Sequence, residues 1–265
     1  MTSFITALKD SFSLLKAEPK LFLPKFAVAA LFSIPLLAFP NLAYAVFSLS
    51  ADREEMLGIF WMLTALLLLS TLVDIIVNTM YPFMVRDYFS KKPISISRAF
   101  GQSLSRFSVV APAVVVVDLL VIGLAVLASI PLGIALLTGN TAMAALVLAA
   151  TLLVLFIVMV LFYLVYPVSA LENKSPLAAL RQALSLSMKN RLDISKATAI
   201  TFIISLAAFA LAFAIDIYSK SGFVEGGFVA GLLFIGIRFA TAMLYTYQYV
   251  LNPVMYLEYG AKVAA

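Results

Sequence analysis

Six long apolar stretches dominate this sequence and decide what it can fold into. Each is at least roughly 20 residues long, the length that an α-helix needs to cross a bilayer core about 30 Å thick. The stretches cover approximately residues 26–49, 57–81, 107–137, 142–166, 197–217 and 227–251. They are continuous and do not alternate as membrane strands do. Hydrophobic residues make up 64% of the chain and charged residues 12%. These features predict an all-α, multi-pass membrane protein.

The basic residues predict how the six spans are oriented. Lysine and arginine concentrate in the short cytoplasmic loops of membrane proteins. If the spans alternate in direction, fifteen of the 18 basic residues fall on the side that holds both termini. Only Arg53 and Lys220 fall on the other side, and Arg238 lies inside a span. Both termini are therefore predicted to be cytoplasmic, with the chain in the cell membrane and its first span retained.

The charge and cysteine content limit the possible partners. The isoelectric point is near 9.3, but the positive charges lie around the span ends and alternate with acidic residues. This pattern indicates topology and attraction to anionic lipid headgroups, and nucleic acid is not an expected partner. The expected partner is the lipid bilayer, with other membrane proteins or a homo-oligomer as open alternatives. The chain has no cysteine, which excludes disulfides and cysteine-ligated metals.

An eleven-residue phrase occurs three times, each time directly before an apolar stretch. The copies are residues 3–13 (SFITALKDSFS), 95–105 (SISRAFGQSLS) and 175–185 (SPLAALRQALS). All three have Ser at the first and last positions, Ala at the fifth, and Leu or Phe at the sixth and tenth. The apolar residues have helical spacing, so each copy predicts an amphipathic helix in the cytoplasmic interface. Its first serine has the position of an N-cap, and Pro176 suits the first helical turn.

The ends of the returning spans also repeat. Spans two, four and six end near Tyr81-Pro82, Tyr166-Pro167 and Asn252-Pro253, and the prolines are predicted to stop or kink the helices there. The chain thus reads as a single domain, residues 1–265, in units of about 1–92, 93–173 and 174–265. Each unit is an interfacial helix followed by a helical hairpin. Because every unit begins and ends on the cytoplasmic side, the repeats are parallel, and we expect a pseudo-threefold bundle.

Three charged side chains fall away from the ends of the predicted spans: Asp74, Asp118 and Arg238. Charges in a bilayer are costly, so each is a functional candidate. Asp118 and Arg238 both lie about eleven residues into their spans, near the middle of the membrane at about 1.5 Å per residue. We expect them to pair, directly or through water. The pair would either fix the helices in place or serve transport or gating.

Polar side chains form one stripe on span two and another on span six, and together the stripes could line a polar cavity. The span-two stripe contains Thr64, Thr71, Asp74, Asn78 and Tyr81, and the span-six stripe contains Arg238, Thr241, Tyr245, Gln248 and Asn252. An aromatic interface belt combined with helix packing is the alternative. The candidate residues for a transport site or a structural pair are Asp74, Asn78, Asp118, Arg238, Tyr245, Gln248 and Asn252.

The sequence argues against an enzyme. It contains no histidine, which removes serine–histidine triads and histidine-ligated zinc sites, and it has no glycine-rich phosphate loop. No catalytic residue, cofactor or metal ion is therefore predicted. Our first hypothesis is a non-catalytic scaffold, accessory subunit or membrane-organising factor. The alternative is a transporter or channel for a small solute or ion that uses the intramembrane polar residues.

Residues 179–190 (ALRQALSLSMKN) carry a family resemblance. The segment resembles one common in uncharacterised prokaryotic, especially archaeal, six-span integral membrane proteins. It is also similar to the membrane domain fused to some glycerophosphodiester phosphodiesterases. The resemblance implies six-span architecture over most of the chain and supplies no site residues. The phosphodiesterase domain of those fusions has no counterpart in this sequence, so its activity is not expected.

Overall fold

The computed structural model of the protein describes residues 4–38, 53–222 and 227–263, and within these ranges the regular structure is helical with no strand. A 3₁₀ turn, Pro19–Phe22, joins the first two helices. The α-helices of the described ranges are α1 (Phe4–Ala17), α2 (Leu23–Ala38), α3 (Arg53–Phe89), α4 (Ile96–Leu137), α5 (Thr141–Leu161), α6 (Val165–Leu171), α7 (Pro176–Lys189), α8 (Arg191–Gly222) and α9 (Gly227–Val263).

Three helical segments in the described ranges are long and apolar enough to cross a membrane: Leu68–Phe89, Ile96–Leu137 and Thr141–Leu171. They overlap predicted spans two, three and four, and the first of them begins and ends later in the chain than predicted span two. The prediction of an all-helical chain with apolar helices of membrane length is confirmed. Predicted spans one, five and six include residues that lie outside the described part of the chain or whose side chains do.

The second copy of the repeated phrase is not a separate helix, contrary to expectation. It forms the first turns of α4, which continues unbroken for 42 residues, about 63 Å at 1.5 Å per residue. The first copy is separate because Pro19 follows it, and Glu18 leaves the helical conformation at φ −128°, ψ 75°. The third is separate because the chain turns at Asn190. No proline or asparagine separates the second copy from its span.

The three copies of the phrase face the interior in the same way. The small residues at the fifth and ninth positions are at most 2% exposed. These residues are Ala7 and Ser11, Ala99 and Ser103, and Ala179 and Ala183. Small residues four positions apart let helices approach closely. The bulky residue at the tenth position points outward in the first two copies, where Phe12 is 65% and Leu104 47% exposed.

Of the three serines predicted as N-caps, the structure describes Ser95 and Ser175, and only Ser95 makes the capping hydrogen bond. The Ser95 hydroxyl accepts a hydrogen bond from the Arg98 backbone N–H at 3.3 Å, which confirms its predicted role. Ser175 precedes Pro176 in an extended conformation without a side-chain capping bond. Ser3 lies outside the described residues.

Two of the three prolines do not stop their helices, and a kink at these two positions stays a prediction. Pro82 lies inside α3, which continues to Phe89, and Pro253 lies inside α9, which continues to Val263. Only near Pro167 does the chain break, between α5 and α6. Proline costs a helix one hydrogen bond and crowds the preceding turn, but packing against other helices can offset that cost.

The three proline-containing segments pack together at the centre of the described bundle. Helices α3, α6 and α9 all contact one another, and α1 packs against α9. We call residues 79–85, 164–170 and 250–256 the proline core. Within it every residue is buried except Tyr166, which is partly buried. Tyr81, Met84, Leu164, Val168, Leu251 and Val254 are all 0% exposed. The proline core thus closes the space between the three helices.

The end of α3 provides a stability prediction. Lys91 has φ +56°, a left-handed conformation that costs a non-glycine residue about 1–2 kcal/mol. The Lys92 N–H donates to the Asp87 carbonyl at 2.8 Å and the Lys91 N–H to the Tyr88 carbonyl at 2.9 Å, as in a Schellman motif. Lys91→Gly is therefore expected to raise the free energy of unfolding by about 1 kcal/mol, measured by denaturation in detergent.

Gly139 is the matched control for this change. It has φ +67° at the end of α4, and the Asn140 N–H donates to the Ala135 carbonyl in the same pattern. A Cβ there would meet nothing within 4 Å, so Gly139→Ala tests backbone conformation alone. It should lower stability by about 1 kcal/mol. If Lys91→Gly also lowered stability, the explanation would be wrong.

Candidate functional site

An ion pair between a buried lysine and a half-exposed aspartate joins α2 to α3 next to the proline core. The Lys25 Nζ lies 2.8 Å from the Asp74 Oδ1. Lys25 is 6% exposed, whereas the Asp74 side chain is 47% exposed. Burial of an ammonium group is costly without a partner, and Asp74 supplies that partner. The sequence identified Asp74 as a candidate but assigned Lys25 only to topology, because a lysine next to a span ordinarily marks the membrane face.

Three tyrosines surround this ion pair. The ring of Tyr249 stacks on that of Tyr81, with centroids 6.0 Å apart, and meets the Tyr166 ring edge-on at 5.8 Å. The Lys25 Nζ lies 4.6 Å from the Tyr249 centroid, within range of a cation–π interaction. The Tyr81 hydroxyl donates to the Leu21 carbonyl at 3.2 Å.

Asn78 completes the group. Its Nδ2 donates to the Tyr166 hydroxyl at 3.4 Å. The residue is 3% exposed, and its Oδ1 is buried with no hydrogen-bond partner in the described part of the chain. A buried acceptor without a partner typically costs about 1–3 kcal/mol. We call Lys25, Asp74, Asn78, Tyr81, Tyr166 and Tyr249 the charge–aromatic cluster.

The predicted direct pair of Asp118 and Arg238 is wrong. Both residues lie in the described ranges, and the ion pairs found there do not include one between them. Asp118 is exposed on α4. Equal predicted depth therefore did not make Asp118 and Arg238 an ion pair.

The span-six candidates extend this polar region along α9. Tyr245 lies on α9 about one helical turn before Tyr249. The Arg238 Nε and the Gln248 Oε1 are buried without hydrogen-bond partners among the described residues. The span-two stripe meets α9 through the contact of Tyr81 with Tyr249, a residue outside the predicted span-six stripe.

Asn252 links α9 to the break between α5 and α6 through a hydrogen bond. Its Nδ2 donates to the backbone carbonyl of Tyr163, at the break between α5 and α6. A helix would satisfy that carbonyl with the N–H four residues later, but that residue is Pro167, which has none. Asn252 therefore supplies the hydrogen bond that the proline removes, and it ties α9 to the broken helix.

A second polar group follows the proline core, and sequence reasoning missed it. Asp87 is 5% exposed and pairs with Arg98 at 2.9 Å. Glu172 accepts a hydrogen bond from the Tyr256 hydroxyl at 2.6 Å and lies 3.3 Å from the Lys174 Nζ. A signal was present, because an acidic residue follows each of the three prolines by five positions: Asp87, Glu172 and Glu258.

These features define a helical protein with membrane-length apolar segments and a charged, aromatic cluster between its helices. Comparisons with protein-family models, with curated proteins and with solved structures found no match. In the ranges that the structure describes, no group of three or more acidic residues is arranged to hold a metal ion.

The ion pair is testable by a double-mutant cycle. Asp74→Asn leaves the buried ammonium of Lys25 without a counter-ion and should lower stability by about 3 kcal/mol, at the low end for a buried pair because Asp74 is half exposed. Lys25→Met should cost less, because the remaining carboxylate can be solvated. The double variant should recover most of the loss, measured by denaturant titration in detergent.

Lys9→Met, on the exposed side of α1, is the control. A double variant less stable than Asp74→Asn would contradict the assignment.

The hydrogen bond between Tyr256 and Glu172 predicts that the stability of the fold declines at alkaline pH. Burial, followed by the hydrogen bond to Glu172 and its charge, raises the pKa of Tyr256 above its ordinary value of 10.0. The native state therefore holds this proton more tightly than the unfolded state. The resulting stability is complete below pH 10.0 and is lost as the pH rises toward the folded-state pKa. Tyr256→Phe should lower stability by about 2 kcal/mol at pH 8 and weaken the decline above pH 10. An unchanged decline in denaturation measurements would contradict the assignment.

Proposed function

We propose that the protein is a non-catalytic, six-span membrane protein that acts as a scaffold, accessory subunit or membrane-organising factor. In this proposal it consists of three parallel units, and both termini are cytoplasmic. The observation that carries the proposal is the closed packing of the proline core, where α3, α6 and α9 meet with their side chains buried. A conducting path needs an opening at this level, and the described residues fill it.

Three correspondences support the parallel units. The prolines of the three units lie in buried segments that contact one another. The small residues at the fifth and ninth phrase positions face inward in every unit. The contact between α1 and α9 brings the first unit against the last, as a closed threefold arrangement requires.

The outward side chains of the phrase helices provide the surface for partner binding. Exposed apolar residues are found on all three copies and their immediate extensions, including Phe12, Phe100, Leu104, Leu177 and Met188. In the proposed topology this surface forms a collar at the cytoplasmic face. Apolar residues exposed there can contact lipid or the membrane-proximal surface of another protein.

Transport is the second candidate, and one observation favours it. Asp74 belongs to the charge–aromatic cluster beside the proline core, yet its side chain is 47% exposed. A half-open carboxylate next to a sealed layer fits a cavity that is accessible from one side. In that alternative the proline core would be the closed gate of a transporter.

Site-specific photocrosslinking tests the scaffold proposal. Benzoylphenylalanine at Phe12 or Leu177, which are 65% and 58% exposed, should give adducts with one or a few proteins in native membranes. Matched substitutions at Leu119 and Leu127, which are 62% and 66% exposed within predicted span three, should give lipid adducts only.

A flux assay in proteoliposomes distinguishes the scaffold from the transporter. With proton- or sodium-sensitive dyes trapped in the vesicles, the scaffold proposal predicts the same leak with and without protein. The proposal would be overturned by a protein-dependent flux that Asp74→Asn abolishes without unfolding, together with lipid-only adducts at the collar.

A further inference from the structure

The outward side of α1 carries apolar and basic side chains on one narrow face. Ile5, Lys9, Phe12 and Lys16 follow one another at intervals of four, three and four residues, so they lie on the same side of the helix. All four are exposed, Ile5 by 59% and Phe12 by 65%. The two apolar residues are seven positions apart, and so are the two lysines. We call these four residues the α1 stripe.

Among the three copies of the phrase, only the first has this complete pattern. At the matching positions α7 has Leu177, Arg181, Leu184 and Met188, so the second basic residue is missing. The second copy has serine, glycine, leucine and serine there, with no basic residue. The α1 stripe is therefore a departure from the repeat, and the packing that all three copies share does not explain it.

The α1 stripe has positive charge without exposed negative charge beside it. Lys9 and Lys16 form no ion pair with any described residue. Asp10 is the only acidic residue of α1, and it is partly buried. A binding partner would therefore gain from acidic side chains opposite the lysines, and a basic surface would be repelled.

The arrangement differs from that of a helix that lies in a bilayer interface. Such a helix has its apolar residues on one face and its basic residues on the other. In α1 the more apolar face is turned toward the bundle, where Leu14 and Leu15 are buried and Phe4 and Leu8 pack against the core. The α1 stripe instead alternates apolar and basic residues, each in a heptad spacing. That pattern is typical of contacts between helices, in which charges beside the apolar seam select the partner.

We propose that the α1 stripe is the docking site for an acidic amphipathic helix of a partner protein. This inference rests on the proposed scaffold function and specifies the chemistry of the partner. Apolar residues of the partner helix pack against Ile5 and Phe12, and its glutamates or aspartates pair with Lys9 and Lys16. The exposed apolar residues supply contact area, and the lysines supply specificity.

The direct test measures the binding of a synthetic three-heptad peptide to the full chain in phosphatidylcholine nanodiscs. The peptide has a leucine in each heptad and a glutamate four positions later, and a matched peptide has lysine in place of glutamate. The glutamate peptide should bind wild type and lose at least about tenfold in affinity for Lys9→Glu/Lys16→Glu, the effect of losing about 1.4 kcal/mol. The lysine peptide should have the reverse preference.

Lys91→Glu/Lys92→Glu is the matched control, because it makes the same charge change at exposed positions after α3. It should bind the glutamate peptide as wild type does. Because Lys9 and Lys16 are exposed, their replacement should leave the thermal unfolding temperature unchanged, which shows that the variant is folded.

Crosslinking in native membranes tests the natural partner. Benzoylphenylalanine at Phe12 should give protein adducts, and the crosslinked segment, identified by mass spectrometry, should be rich in glutamate or aspartate. Adding Lys9→Gln and Lys16→Gln should reduce these adducts at least about tenfold. These neutral changes leave Lys20 and Lys25 to orient the first predicted span.

The outcomes separate this inference from the scaffold proposal. Protein adducts that persist at full yield with Lys9→Gln and Lys16→Gln would overturn the acidic partner and leave the scaffold standing. Lipid adducts alone at Phe12, with peptide binding lost in phosphatidylglycerol nanodiscs, would show that anionic lipid covers the α1 stripe and would overturn the inference. So would equal binding of the two peptides to wild type, or unchanged binding of the glutamate peptide to folded Lys9→Glu/Lys16→Glu. Adducts at Leu177 then decide the scaffold proposal independently.

Discussion

The fold depends on the burial of three prolines in helices that pack against one another. Each proline removes a backbone donor from its helix. Lipid tails are as apolar as leucine, so such helices gain stability from close packing and hydrogen bonds more than from leaving water. Helices α3 and α9 continue past their prolines inside this packing. Where the helix does break, Asn252 donates to the Tyr163 carbonyl that Pro167 leaves without a donor. The packed region around Pro167 therefore contains both the carbonyl that lacks a backbone donor and the side chain that bonds it.

The charged groups are arranged around the packed segments of the proline core. Lys25, Asp74 and Tyr249 lie next to Tyr81 and Tyr166 of the proline core. Asp87 and Glu172 follow the proline core along the chain. The polar residues are thereby divided into one group within the predicted spans and another at the ends of the helices. A scaffold is compatible with this division. A transporter would require the proline core to open.

The sequence predicted much of the fold from simple periodicities. Continuous apolar runs predicted the helices, and the phrase predicted helical turns at all three copies. Proline did not end the helix at Pro82 or Pro253, where both helices continue within the packed core. Depth along a helix could not identify neighbours, and the direct ion pair expected between Asp118 and Arg238 does not form. Lys25 was missed because its partner lies 49 residues away on another helix. The acidic residue five positions after each proline was visible in the sequence and would have indicated the second polar group.

Closure of the proline core can be measured directly, because the chain has no cysteine. Met84→Cys, Ser169→Cys and Met255→Cys place one thiol in each of the three segments, at positions that are at most 1% exposed. In intact membranes all three should resist a small methanethiosulfonate reagent that labels Phe12→Cys and Met188→Cys, and all should react after denaturation in dodecyl sulfate. Labelling of the three buried positions as fast as the exposed controls would contradict a sealed core formed by α3, α6 and α9.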